Sequence, residues 1–119
     1  MSYEIHVTVN VPPKKAPKYK PTIRLLKNLA KQESWATSQI TDDPVLGPGN
    51  KFYFTAYRNE INRAVKDLNM LVDRLYDIKI KPLRQKIELI ILDSKTNEYP
   101  SIDIAVHHAK SVLDWMNQP

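Results

Sequence analysis

The spacing of apolar residues switches repeatedly between a two-residue and a 3.6-residue period, and the order of those switches restricts the fold more than any single motif does. Tyr3, Ile5, Val7, Val9 and Val11 alternate strictly with Glu4, His6, Thr8 and Asn10, which predicts a half-buried strand. Pro12, Pro13, Pro17 and Pro21 mark the next stretch as a loop, and Lys14, Lys15, Lys18 and Lys20 make it basic. From Thr22 to Gln32 the period lengthens: Ile23, Leu26, Leu29 and Ala30 share a helical face. Ser34 to Thr41 returns to a weaker alternation, with Ala36, Ser38 and Ile40 on one side and Trp35, Thr37, Gln39 and Thr41 on the other. Asp42 to Asn50 holds both glycines and reads as a shaped turn.

Phe52, Phe54 and Ala56 then alternate with Tyr53, Thr55 and Tyr57 between Lys51 and Arg58. Asn59 is placed to cap a second helix carrying Ile61, Ala64, Val65, Leu68, Val72 and Leu75. A last strand falls between Ile80 and Asp93, with Arg84, Lys86 and Glu88 on its polar side. The order β-α-β-β-α-β predicts an α+β, ferredoxin-like domain over residues 1–96, with a four-stranded antiparallel sheet and two helices on one face. Ser101 is placed to cap a further helix through Ile102, Ala105, Val106, Ala109, Val112, Leu113 and Met116, so residues 97–119 read as a helical extension of the same domain.

Composition narrows the chemistry. The chain has 119 residues, one ordinary domain, and no cysteine, which excludes disulfides, thiolate metal sites and cysteine nucleophiles. No apolar run is long enough to cross a bilayer, and the N-terminus lacks a secretory pattern, so the expected location is the cytoplasm. A net charge of +5 favours anionic partners, although a lysine-rich surface alone also produces it.

In the ferredoxin-like order the first strand lies between the third and the fourth. The face away from the helices is then expected to carry His6 and Thr8 at its centre, Tyr53 and Thr55 on one side, and Arg84, Lys86 and Glu88 on the other. Glu4 joins from the first strand, and Trp35, Thr37 and Gln39 from the second. Arg84 and Lys86 suit phosphate, Tyr53 and Trp35 offer stacking surfaces, and His6, Thr8 and Glu88 supply hydrogen-bonding groups for a base edge or sugar hydroxyl. The ordinary alternative is a solvated sheet face whose charges discourage strand pairing. No Walker-type loop or nucleophile elbow occurs, His107 and His108 point to different sides of their helix, and no metal-ligating set or cofactor is expected.

Glu4-Ile5-His6-Val7-Thr8-Val9, Asp43-Pro44-Val45-Leu46-Gly47, Phe52-Tyr53-Phe54-Thr55 and Arg84-Gln85-Lys86-Ile87-Glu88 together resemble a family of small bacterial and phage proteins over residues 3 to 96. The resemblance implies a phage anti-defence protein that binds a cyclic dinucleotide and sequesters it from a CBASS-type immune system without cleaving it. His6-Val7-Thr8 also resembles half of a 2H phosphoesterase, which uses two such units; His107-His108-Ala109 lacks the hydroxyl residue a second unit needs. The aromatic content of Lys51 to Tyr57 is similar to that of RNA-recognition motifs, without their glycines. The expectations are therefore nucleotide sequestration, then a phosphoesterase on His6 and Thr8, then an RNA-binding or protein-interaction domain. Trp115 and Met116 at the end of the extra helix add the expectation of a homo-oligomer.

Overall fold

A computed structural model describes residues 2–90 and 101–104. The described elements are β1 (Ser2–Asn10), α1 (Tyr19–Gln32), β2 (Ala36–Asp43), β3 (Gly47–Arg58), α2 (Ile61–Asp77), β4 (Arg84–Ile90) and β5 (Ser101–Ile104). The strands form one antiparallel sheet in the order β2-β3-β1-β4-β5. Its first four strands with α1 and α2 make an α+β unit whose order is compatible with the ferredoxin-like arrangement.

The two periodicities meet in a single core. Ile5, Val7 and Val9 of β1, Phe52 and Phe54 of β3, and Ile87 of β4 are buried under Ile23, Leu26 and Leu29 of α1 and Leu68, Leu71 and Leu75 of α2. Burying each such side chain contributes about 1.5–3 kcal/mol, so the alternating apolar residues fix which sheet face meets the helices. Asp67 is the acidic exception on α2: it is buried, and Arg58 from the end of β3 and Arg63 one helical turn away both hold its carboxylate.

Both helices end in the same way. Trp35 N–H bonds to Ala30 O at 2.8 Å after Ser34 turns left-handed (φ 60°), and Ile80 N–H bonds to Leu75 O at 2.8 Å after Lys79 does the same (φ 64°). These are Schellman closures built without glycine, each followed by an apolar residue that returns to the core. The closure explains the first departure from expectation. Trp35 precedes β2 and is buried, with its ring edge-on to Phe54 at 6.4 Å between centroids. It is therefore not on the open face, and neither are Thr37 and Gln39, whose register opposite Phe54 and Phe52 turns them to the helix side.

Other boundaries shift for local reasons. α1 begins at Tyr19 and takes Pro21 into its first turn, where a missing N–H costs no helical bond. Glu60, not Asn59, is the N-cap of α2. The turn contracts to Pro44-Val45-Leu46, because β2 continues to Asp43 and β3 begins at Gly47. The helix expected from Ser101 does not start there. Ser101–Ile104 instead pairs with β4, from Glu88↔Ser101 to Gln85↔Ile104, since the edge of β4 offers unpaired backbone groups to a segment whose isoleucines also fit a two-residue period. The rest of that helix, Trp115 and Met116 included, lies outside the described residues.

Candidate functional site

The open face is assembled by cross-strand register. β1 sets Thr8 opposite Tyr53 and Arg84, His6 opposite Thr55 and Lys86, and Glu4 opposite Tyr57 and Glu88. Three rows of side chains thus cross the central strands. His6, Thr8, Tyr53, Arg84, Lys86 and Glu88 line one shallow cavity of about 160 Å³, which Asp43 and Leu46 of the hairpin complete. Six of the eight residues expected at a ligand site meet there. Thr55 stands beside it, with its Oγ1 3.3 Å from His6 Nδ1, while Trp35 belongs to the core.

The hairpin brings in what the sequence pattern did not assign. Asp43 Oδ1 accepts the N–H groups of Val45 and Leu46 at 2.7 and 2.9 Å, an Asx turn that fixes the carboxylate over the sheet. Its other oxygen accepts a hydrogen bond from Tyr53. That bond, the two turn N–H groups and the charge of Arg84 hold the Asp43 carboxyl below its ordinary range. Burial and the bond to Asp43 push the Tyr53 phenol up to about 12. Asp42 accepts the Gly49 N–H at 2.9 Å, so both acids of the turn organise its backbone.

Charges in the cavity are mixed: Arg84 and Lys86 against Asp43 and Glu88. Lys86 pairs with Glu88. His6 Nε2 lies 3.3 Å from Glu4 Oε1 and 3.8 Å from Glu88 Oε2. Glu4 also accepts a hydrogen bond from Tyr57 at 3.1 Å, which raises the Tyr57 pKa. Glu4, His6 and Glu88 therefore bring three potential ligand atoms together, a set not visible as a sequence motif because its members come from two strands.

Two further cavities frame the sheet. One of about 300 Å³ lies at the hairpin end between Lys14, Tyr19, Gln39, Ile40, Thr41, Asn50 and Lys51, with no carboxylate among its described lining residues. Lys51 is buried there, its Nζ donating to Pro48 O at 2.7 Å and Gly49 O at 3.4 Å. Hydrogen bonds from Val11 N–H to Asn50 O and from Asn50 Nδ2 to Pro12 O tie the start of the basic loop to the hairpin. The other, about 610 Å³, lies near Glu33, Tyr57 and Asn59, but its Arg58 and Arg63 are both engaged by Asp67.

No protein-family model, curated protein or solved structure matches this chain. No helix among the described residues is long and apolar enough to cross a membrane.

Proposed function

We propose that the open sheet face binds a small phosphate-bearing nucleotide and holds it without turnover. The observation that carries this reading is the convergence of Arg84 and Lys86 with Thr8, His6 and Tyr53 on one cavity. Arginine grips two phosphate oxygens at once, lysine adds a point charge, and the hydroxyls and imidazole supply directional bonds. A cavity of about 160 Å³ is smaller than the roughly 300–1,000 Å³ of a complete small-molecule site, so it seats one phosphate and its neighbouring atoms. The cavity at the hairpin end, whose described lining holds no carboxylate, offers a second basic surface through Lys14. A ligand with two phosphates suits that pairing, in keeping with the cyclic dinucleotide implied by the sequence resemblance.

The proposal includes a homo-oligomer in the cytoplasm, since one small cavity leaves much of a dinucleotide uncovered. Binding without turnover follows from the histidines: the sequence contains His6 but no second His-x-Thr unit to exchange the other proton. RNA recognition has less support. Trp35, Phe52 and Phe54 are buried, leaving Tyr53 and Tyr57 as the aromatic residues of the central open face.

The test is to incubate the protein with a panel of linear and cyclic nucleotides, remove free ligand, denature by heat and chromatograph the supernatant. Intact nucleotide is the expected product. Converted nucleotide replaces sequestration by the phosphoesterase; retention of none sinks nucleotide binding and favours a macromolecular partner.

A further inference from the structure

Glu4 and Glu88 occupy directly opposed positions on neighbouring antiparallel strands. Like charges placed so are unfavourable unless something positive lies between them. Lys86 pairs with Glu88. Among the described residues Glu4 has no permanent cation: its partners are the neutral Tyr57 hydroxyl and the imidazole of His6. Both glutamate side chains and His6 are only 20–28% exposed, so water screens the pair incompletely.

The imidazole is also held in place. Thr55 Oγ1 lies 3.3 Å from His6 Nδ1, on the far side of the ring from the carboxylates. With Nδ1 donating to that hydroxyl, Nε2, the ring nitrogen near Glu4 and Glu88, carries the lone pair. An outer hydrogen bond that fixes tautomer and ring plane is the usual support of a metal-ligating histidine.

The distances come close to those of coordination, with one within range and the others requiring the glutamate side chains to close in slightly on the ion. Ligand bonds of about 2.0–2.2 Å in a tetrahedron separate neighbouring ligand atoms by about 3.3–3.6 Å. Nε2 is 3.3 Å from Glu4 Oε1 and 3.8 Å from Glu88 Oε2, and all three atoms lie within 4.8 Å of one another. From these observations we infer that Glu4, His6 and Glu88 form a binding site for a divalent transition-metal ion, with zinc as the best match.

One imidazole and two carboxylates favour a borderline ion over magnesium, which demands a near-ideal octahedron of oxygens. Three protein ligands leave a fourth position open toward the cavity of Thr8, Tyr53 and Arg84. A bound dication releases Lys86 from Glu88 and turns a face of mixed charge into a cationic one. The site stands independently of the nucleotide reading, because the ion needs no other ligand to bind.

The full chain, freed of metal by dialysis against a chelator, is titrated with zinc chloride in a calorimeter, with magnesium chloride as control. Saturable zinc binding with no response to magnesium is expected. His6→Gln and Glu4→Gln each weaken zinc binding at least tenfold, and Thr55→Val weakens it about tenfold by loosening the ring. Cobalt chloride then gives the intense visible absorption of a low-coordinate site, which requires no variant to fold. Absence of saturable zinc binding overturns the proposal. So does zinc affinity unchanged in both His6→Gln and Glu4→Gln, which would place the ion elsewhere, for example at His107 and His108.

Discussion

Trp35 and Tyr53 were expected to do the same job, and the structure gives them different ones. Trp35 is 6% exposed, and its indole Nε1 is buried without a hydrogen-bond partner among the described residues. Trp35→Ala should therefore cost about 3–5 kcal/mol in denaturant unfolding, as truncation of a large core side chain does. Trp35→Phe should cost clearly less, because it keeps ring packing against Phe54 and removes a desolvated donor. Tyr53 remains on the cavity and should ionise at about 12, read from phenolate absorbance. Asp43→Asn should bring that titration down only partly, since burial is the larger cause. The carboxyl itself runs the other way. Its folded pKa lies below the ordinary 3.8, so its contribution to stability is present above that pH and disappears as the pH falls through the lower folded value. Wild type and Asp43→Asn should thus differ most near neutral pH and converge in strong acid.

The helix ends are where single elements can be improved. Ser34 and Lys79 sit left-handed, at φ 60° and 64°, in positions where glycine is the common residue. Ser34→Gly and Lys79→Gly should each stabilise the protein, by about 0.5–2 kcal/mol, seen as a higher midpoint of urea unfolding with unchanged slope. The hairpin already uses glycine where it matters: Gly47 has φ 95°, and nothing stands within 4 Å of a Cβ placed there. Gly47→Ala should lose roughly 1–2 kcal/mol through backbone strain alone, and with it the position of Asp43 over the cavity. Calorimetric melting checks the loss in stability.

For the molecule as a whole, the proposed binding face and the core lie on opposite faces of one sheet, so effects on binding and on folding should separate. Arg84→Ala removes a cation from the open face and leaves the apolar core intact. It should weaken binding of a cyclic dinucleotide by about 1.5–3 kcal/mol, a loss of roughly 10–150-fold by titration calorimetry, with a small change in melting temperature. Unchanged affinity would remove Arg84 from the site. The homo-oligomer is tested separately, by light scattering on the full chain.

The order of the first six elements and most of the helix-facing apolar residues of β1, β3, β4, α1 and α2 could be read from the chain, because each follows from a local period that burial enforces. For the same reason His6, Thr8, Tyr53, Thr55, Arg84, Lys86 and Glu88 were placed on the face where the structure has them. What lay beyond the sequence was every feature set by pairing between distant segments. Trp35 took the core because the closure of α1 turned it inward before β2 began, and Asp43 reached the cavity because an Asx turn folded it there. Ser101–Ile104 became a strand because the edge of β4 lay open to it. Glu4 met Glu88 across His6 because register, which one sequence leaves undetermined, is decided only when two strands bond to each other.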